Sequence, residues 1–246
     1  MRTLIPCLLL VLITSCERPT APAVPRSAPD AVEQVNAADP LPMVGYFADT
    51  LPSADRPGIF IQLWLRSDST FILRQHDLDR DTLPFGTIGQ WQVINGRISL
   101  GLISGKPVFY TPTEEGLMQV DEQWQAGSSG PDMTLDRQAD ALQEVARMRL
   151  TGTFIYFADA MSFKPCGASS SWPCAGGEEW TDEGERAGSL NNRELERHYL
   201  RSVAQGGDPW TIDVECTLAM GPAMEGDGAD EYIFIHRVLD EVQGCL

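Results

Sequence analysis

The sequence predicts an all-β protein with short helices, built as a small β-meander barrel followed by a second, five-stranded Greek-key barrel. Three features predict this fold: short runs of alternating apolar residues, tight turns rich in glycine and asparagine, and a short helical pattern among the strands of the second half. Short strands joined by tight turns are typical of closed barrels. With 246 residues and a hydrophobic content of 43%, the chain is long enough to bury two such cores.

The first barrel is predicted to occupy residues 43–127. Its clearest hairpin lies at Asn95-Gly96, because both residue types accept the positive φ angles of a type I′ turn and an alternating strand precedes them. Further turns are predicted at residues 67–69, 104–105 and 115–116. Large apolar side chains are expected to fill the interior: Ile59, Ile61, Leu63, Leu65, Trp91 and Val93. A barrel filled in this way leaves no cavity for a ligand.

A linker with one helix is predicted between the two barrels, over residues 128–149. The helix covers residues 136–149, because apolar side chains recur toward one side of a helical projection. These side chains are Leu135, Leu142, Val145 and Met148. We expect this helix to pack between the two domains.

The second barrel is predicted to occupy residues 150–246. Its elements are a strand at 151–159, a helix at 191–203, and strands at 210–219 and 232–238. Strands arranged around one short helix fit a five-stranded Greek-key barrel.

The amino terminus has the features of an export signal. Met1 and Arg2 precede an apolar run of about ten residues, roughly half the length that a helix needs to cross a bilayer. Residues 1–15 are therefore predicted to be a cleaved signal peptide rather than a membrane-spanning helix. Residues 16–42 are rich in proline and alanine and are predicted to be a flexible tether.

The segment Ile13-Thr14-Ser15-Cys16 resembles the lipobox of bacterial lipoproteins. This resemblance implies lipidation at Cys16 by a diacylglyceryl thioether and an N-acyl chain, which together hold a protein stably at a membrane. Glu17 follows the cysteine, where an aspartate would favour retention in the inner membrane of enteric bacteria. We therefore expect a lipid-anchored protein on the periplasmic face of the outer membrane.

The formal charge of −17 argues against nucleic acid as a partner, because so acidic a surface repels phosphate backbones. No nucleophile motif is present, so enzyme activity is not predicted. No cofactor or metal site is predicted either, since Met220 and Met224 lack an adjacent histidine and are better read as packing residues. The three histidines are expected at separate surface or boundary positions: His76, His198 and His236.

Four cysteines remain once the signal peptide and the lipidated residue are set aside: Cys166, Cys174, Cys216 and Cys245. An even number of cysteines in an exported protein predicts two disulfides. Four cysteines allow three connectivities, and their spacing alone leaves all three open.

Two stretches resemble the NlpE-like family of copper-resistance and envelope-stress lipoproteins. The first runs over residues 45–59 and continues through the next hairpin to Gly89-Gln90-Trp91. The second starts at Gly152, passes through Cys166 and the helical segment 195–199, and ends at Cys245. Together these stretches cover most of the chain beyond the tether.

The resemblance implies a lipocalin-like first barrel and an OB-type second barrel. Family members carry a Leu-Pro-Cys-Ala-Asp-Cys loop in the first domain, whereas Ser53 and Arg56 occupy its two cysteine positions here. Because copper(I) favours soft sulfur ligands, we do not expect this loop to bind it. The family pattern also implies a disulfide between Cys166 and Cys245, which leaves Cys174 to pair with Cys216.

The implied function is that of an outer-membrane sensor-adaptor. It would signal copper, surface contact or defective lipoprotein maturation to the sensor histidine kinase of a Cpx-type two-component system. The disulfide is either a structural staple or a device that makes the second domain responsive to failed oxidation. Two other functions stay open: a lipocalin-like carrier of lipid or another small apolar ligand, and a structural lipoprotein of envelope assembly.

Overall fold

Eight strands of the described part of the chain form the first barrel. They are β1 (Gly45–Ser53), β2 (Arg56–Leu65), β3 (Thr70–Asp77), β4 (Phe85–Ile94), β5 (Arg97–Ile103), β6 (Lys106–Pro112), β7 (Gly116–Val120) and β8 (Thr134–Arg137). Each strand pairs antiparallel with the next along the chain, β8 pairs with β1, and the β4–β5 pairing joins the two ends of the strand order. The predicted meander barrel is confirmed, and its closure leaves no free edge strand.

The computed structural model describes residues 43–53, 56–103, 105–121, 132–139, 145–175, 188–223 and 226–245. The predicted signal peptide and tether, with Cys16, lie outside these ranges. Both barrels belong to one compact unit. In the described part of the chain, no helix combines the length and apolar character required to span a bilayer.

Apolar side chains fill the interior of the first barrel, as the alternating pattern predicts. Leu63, Phe71, Ile98 and Leu135 are all inaccessible to solvent and belong to one core cluster. Val93 is an exception, because it is 38% exposed. It lies two residues before the Asn95-Gly96 turn, paired with the fully buried Ile98.

Two predicted turns have the expected chemistry. Asn95 and Gly96 have φ angles of 52° and 77°, which confirms the type I′ turn between β4 and β5. In the turn before β3, Asp68 accepts hydrogen bonds from the backbone N–H and the hydroxyl of Thr70, at 2.9 and 2.6 Å. These bonds lower the pKa of the Asp68 carboxyl although partial burial opposes the shift. Local side-chain chemistry therefore sets the register of both hairpins.

The helix predicted over residues 136–149 is wrong. Residues 136 and 137, where the helix is predicted to begin, belong to β8, and Val145 starts the long strand β9 (Val145–Phe157). Leu135 is buried in the first barrel, whereas Val145 and Met148 are buried in the second. The helical spacing of these residues is therefore accidental, because they lie on two strands that contribute to different cores. Pairing with β1 and β7 determines the conformation of β8, since closing the barrel satisfies backbone groups that a helix there would leave unpaired.

Among the residues that the structure describes, the second barrel contains β9 and four further strands, with one helix. They are β10 (Ala160–Pro165), β11 (Trp172–Ala175), α1 (Asn192–Ser202), β12 (Trp210–Pro222) and β13 (Ala229–Glu241). The strand order is β9-β10-β11-β13-β12, and β12 pairs back with β9, so five strands close a barrel. The β11–β13 pairing is parallel and the other pairings are antiparallel. This arrangement confirms the predicted OB-type Greek-key barrel, although β10 and β11 are not among the strands predicted from the sequence.

The helix predicted over residues 191–203 is present as α1, and it packs against one side of the second barrel. Asn191 caps its amino terminus, and Asn191 and Glu194 exchange side-chain to backbone hydrogen bonds as a capping box. Leu195 and Tyr199 are the buried residues of the helix. The hydroxyl of Tyr199 donates to the carbonyl of Asp208 at 2.7 Å, and its ring meets those of neighbouring aromatic residues edge to face. These contacts fix the rotation of the helix and therefore which face it exposes.

Candidate functional site: the disulfide and the junction between the barrels

The structure contains the disulfide that the family resemblance implies. Cys166 follows β10 and Cys245 lies beyond β13; their Cα atoms are 5.3 Å apart and 79 residues separate them in sequence. In the chain-entropy model, closing a loop of this length stabilises a domain by about 4 kcal/mol. Cys166 is half-buried and Cys245 is exposed. Solvent and redox partners can therefore reach the bond from one side.

The second predicted disulfide is absent, because Cys174 and Cys216 are unbonded and buried. Cys174 pairs with Ile233 at one edge of β13, whereas Cys216 pairs with Ile235 at the other edge. Two strand spacings amount to about 10 Å, which exceeds the separation of about 7 Å beyond which Cα atoms cannot be bridged. Burial raises the pKa of both thiols, so they remain protonated and pack as small apolar side chains.

The loop that follows Cys166 lies directly against the first barrel. Gly167 has a φ of 92°, and a Cβ atom there would come within 3.3 Å of the Ile88 carbonyl oxygen in β4. Two residues later, the hydroxyl of Ser169 accepts a hydrogen bond from the Gln90 side-chain amide at 3.0 Å. One cysteine of the disulfide is therefore adjacent in sequence to the contact between the two barrels.

An apolar row on the outer face of the first barrel forms the centre of this junction. Tyr46, Trp64, Ile72 and Ile88 are successive cross-strand partners on β1 to β4, and we call them the outer apolar row. Trp64, Ile72 and Ile88 belong to the core cluster of the second barrel and are at most 5% exposed. Tyr46 stacks on Trp64 with ring centroids 4.7 Å apart. The outer apolar row thus extends the hydrophobic core of the second barrel, whereas the interior of the first barrel forms a separate core.

Charged side chains bridge the barrels beside this row. Arg66, just after β2, makes two hydrogen bonds of 2.7 and 2.6 Å to the carboxylate of Glu231 in β13. The indole N–H of Trp172 donates to the same carboxylate at 2.8 Å. Burial alone would lower the pKa of Arg66, but the hydrogen bonds and the charge of Glu231 raise it, so the guanidinium stays charged. The geometry is bidentate and partly shielded from water, which makes it stronger than an ordinary surface pair.

A second polar contact joins the barrels at the start of β9. The Arg74 guanidinium donates to the carbonyl of Arg147 at 3.3 and 3.2 Å, and the Arg149 N–H donates to the carbonyl of Pro84 at 2.7 Å. The Arg149 guanidinium also pairs with the buried carboxylate of Asp213 and lies 5.4 Å from the centroid of the Phe85 ring. The segment linking the barrels is therefore held to the first barrel by backbone and side-chain bonds.

The two family loop positions, Ser53 and Arg56, close the β1–β2 hairpin as a cross-strand pair. Neither residue type is a metal ligand of the kind that copper(I) prefers. Across the described ranges, no group of three or more histidine, cysteine or acidic side chains has a geometry suited to holding a metal ion.

One histidine expected at the surface is buried instead. His236 in β13 is 7% exposed, and its Nε2 atom lies 2.8 Å from the hydroxyl of Thr217 on the neighbouring strand. That polar partner inside the barrel wall makes burial of the ring possible. His76 lies in β3 and His198 lies exposed on α1, so the structure does not bring the three histidines together.

Sequence reasoning missed the junction, although one signal for it was present. Trp64 and Ile72 occupy outward positions of strands whose inward positions are already apolar. Strands with apolar residues on both faces are buried on both sides, whereas a barrel with one solvated face has polar residues outside. The long-range partners Arg66 and Glu231 gave no such signal, because 165 residues separate them.

Two family models match the chain, one on each barrel. The NlpE N-terminal domain matches residues 47–129, and the NlpE C-terminal OB domain matches residues 144–241. The lipoprotein NlpE of Escherichia coli (strain K12) is 27% identical over 192 residues, which is 77% of this chain and 75% of the relative.

Two solved structures are also similar. The crystal structure of the Cpx pathway activator NlpE from Escherichia coli covers 79% of this chain and 93% of its own, with 23% identity and a TM-score of 0.33. That of a candidate lipoprotein from Shewanella oneidensis covers 41% of this chain and 93% of its own, with 24% identity and a TM-score of 0.35. Both TM-scores are low, so the relationship of this chain to the family rests on the sequence matches over both barrels.

Proposed function

The chain belongs to an NlpE-like family of lipoproteins, and from this membership we propose that it is a sensor-adaptor for stress in the bacterial envelope. In this proposal, acyl chains on Cys16 hold it on the periplasmic face of the outer membrane. The tether lets the two barrels reach away from that membrane toward a sensor histidine kinase of a Cpx-type two-component system. One solved relative is named a Cpx pathway activator.

The position of the Cys166–Cys245 disulfide carries the sensing part of the proposal. The bond is accessible on the Cys245 side and fixes the loop whose Gly167 and Ser169 contact the first barrel. Without the bond, the carboxy-terminal segment after β13 is released from that loop. Failed oxidation would thus loosen the second barrel at the place where it supports the first. A kinase that reads the state of the first barrel would then receive the signal.

The structure argues against two narrower versions of the function. A carrier of small apolar ligands needs a cavity, whereas the interior of the first barrel is filled by fully buried side chains such as Phe71 and Ile98. Copper sensing at the family loop needs thiolates, which Ser53 and Arg56 do not provide. Oxidative folding is therefore the signal that this chain is best equipped to report.

An envelope-stress reporter tests the sensing role. Cells carrying the full chain, a deletion, or the paired substitutions Cys166→Ser and Cys245→Ser would be compared with copper and reductant varied. We expect the paired variant to drive the reporter without reductant as strongly as the native chain does with it. Cys174→Ala is the matched control, since it removes a cysteine that is in no disulfide. If the reporter does not respond in any strain or condition, the chain has no sensor function. If only the paired variant fails to change the reporter, the disulfide has a purely structural role.

Membrane fractionation tests the anchor. Cys16→Ala should move the protein from the membrane fraction to the soluble periplasmic fraction, because the thioether-linked diacylglyceryl group and the N-acyl chain are both attached to that one residue. Cys7→Ala is the control, since that cysteine lies within the predicted signal peptide and should leave the distribution unchanged. Equal sedimentation of native and Cys16→Ala proteins would refute lipid anchoring.

A further inference from the structure

The exposed face of helix α1 carries a cluster of positive charge on an acidic protein. Arg193, Arg197 and Arg201 follow one another at intervals of four residues and surround the 52% exposed side chain of Leu200. Together with Glu196 they line an open groove of about 410 Å³. The chain has 35 acidic and 18 basic residues, so three arginines on a single face stand out against the acidic surroundings. We call this face the arginine face.

The arginines of this face are not used to stabilise the fold. None of the three makes a salt bridge or a side-chain hydrogen bond with another residue in the ranges that the structure describes. Like charges four residues apart destabilise a helix by a few tenths of a kcal/mol. Arg193 also lies in the first turn, where the helix dipole disfavours a positive charge. Arg201, in contrast, lies in the last turn, where the dipole favours a positive charge. The cost to helix stability therefore comes from the position of Arg193 and from repulsion between neighbouring arginines, and no salt bridge within these ranges offsets it.

The fold presents the face in a fixed orientation. The capping box at Asn191 and the burial of Leu195 and Tyr199 hold the opposite side of α1 against the barrel. A preorganised set of guanidinium groups loses less entropy when it binds than a mobile one. Guanidinium groups donate two parallel hydrogen bonds to a carboxylate, and Leu200 offers an apolar contact among them.

We propose that the arginine face binds an acidic segment of a partner protein, with carboxylates one helical turn apart and an apolar side chain between them. Successive arginines are four residues apart, about 6 Å along the helix axis, which matches that spacing of carboxylates. A flat anionic membrane fits less well, because it would bring the surrounding acidic surface of this −17 chain within the screening length of about 8 Å. This contact does not depend on the proposed redox response.

Fluorescence anisotropy with the full mature chain tests the proposal. The probe is a labelled 15-residue helical peptide, about four turns long, with glutamates at every fourth position and a leucine beside them; a peptide with glutamines in their place is the reference. We expect Arg197→Gln to weaken binding of the glutamate peptide by about tenfold, the value of one charge-assisted hydrogen bond. Leu200→Ala should weaken it by a smaller factor, and added salt should weaken it for all variants.

Arg80→Gln is the matched control, because it removes the same charge from an exposed position on the first barrel. It should change the affinity by less than about twofold. Three outcomes would overturn the proposal: equal losses for Arg80→Gln and Arg197→Gln, equal affinity for the glutamate and glutamine peptides, or no saturable binding below about 1 mM. Binding to phosphatidylglycerol vesicles that exceeds peptide binding would also overturn it and assign the face to lipid.

Discussion

Four chemically identical cysteines have two different fates in this protein, and their surroundings decide which. Cys166 and Cys245 meet near the surface at the ends of two strands, where the chain can adjust to form a bond. Cys174 and Cys216 lie on the two strands that flank β13 within a packed barrel, and they are unbonded. Burial makes ionisation of these two thiols unfavourable. The reactive sulfur of the second barrel is thus confined to its exterior.

The raised pKa of Cys174 and Cys216 predicts how stability changes with pH. Both thiols stay protonated in the folded protein, whereas in the unfolded chain they ionise near their ordinary pKa of 9.0. The unfolded state then binds fewer protons than the folded state, so the free energy of unfolding falls as pH rises above about 9. Each thiol can contribute a slope of up to about 1.4 kcal/mol per pH unit. Below this range the contribution is constant.

Urea unfolding between about pH 8 and pH 10 measures this dependence. The paired substitutions Cys174→Ala and Cys216→Ala should flatten the decline, although they lower the stability at pH 8 by leaving small cavities. Substituting Cys166 and Cys245 is the control and should leave the slope unchanged. If the native protein and the buried-thiol variant decline with the same slope, ionisation of these thiols is not the cause.

Among the secondary-structure elements, the loop between β10 and β11 does more than connect two strands. It begins at the disulfide and supplies the backbone that packs on β4. Gly167 makes this possible, because its φ of 92° is a conformation that other residues rarely adopt and its missing Cβ admits the Ile88 carbonyl. The loop is therefore the element through which the disulfide can influence the first barrel.

Substituting Gly167 tests that contact. Gly167→Ala introduces both an unfavourable φ and a Cβ 3.3 Å from the Ile88 oxygen, whereas Gly96→Ala introduces an unfavourable φ of 77° with no atom within 4 Å. We expect Gly96→Ala to lower the free energy of unfolding by about 1 kcal/mol and Gly167→Ala by about 2 kcal/mol. The difference between the two losses in the free energy of unfolding, measured with urea, is the contribution of the close contact between position 167 and the Ile88 oxygen. Equal losses for the two variants would mean that the loop is not in close steric contact with β4.

For the molecule as a whole, the junction makes two barrels into one compact unit. The outer apolar row of the first barrel enters the core of the second, and the Arg66–Glu231 pair lies beside it. A change in the packing of one barrel therefore affects the stability of the other, because the barrels are joined by buried surface rather than by a flexible connection. A protein that senses in one domain and signals through another requires coupling of this kind.

A double-mutant cycle on Arg66 and Glu231 measures the coupling. The side chains are 30% and 17% exposed, so the pair is partly screened by solvent. We expect Glu231→Gln to lower the free energy of unfolding by about 1 to 2 kcal/mol, with an interaction energy of about 1 kcal/mol in the cycle with Arg66→Gln. Glu115→Gln, at an exposed turn of the first barrel, is the control and should change little. A coupling of zero would show that the pair does not join the barrels energetically.

Local signals determined a large part of this structure. The Asn95-Gly96 turn, the Asn191 cap and the inward row of β2 could be predicted because each depends on residues near one another in sequence. The Cys166–Cys245 pairing was accessible only through the family resemblance, since spacing left three connectivities open. The unbonded state of Cys174 could not be predicted, because it depends on which strand lies between it and Cys216.

The two all-β domains, their main hairpins and helix α1 follow from local patterns in the sequence, because apolar alternation, turn chemistry and capping act over a few residues. Three other features follow only from the folded arrangement: residues 134–137 form the eighth strand, the outer apolar row is buried, and Arg66 meets Glu231. These features depend on barrel closure and on packing between segments far apart in the chain. Their stabilising contacts exist only after the barrels have formed, so no local pattern encodes them.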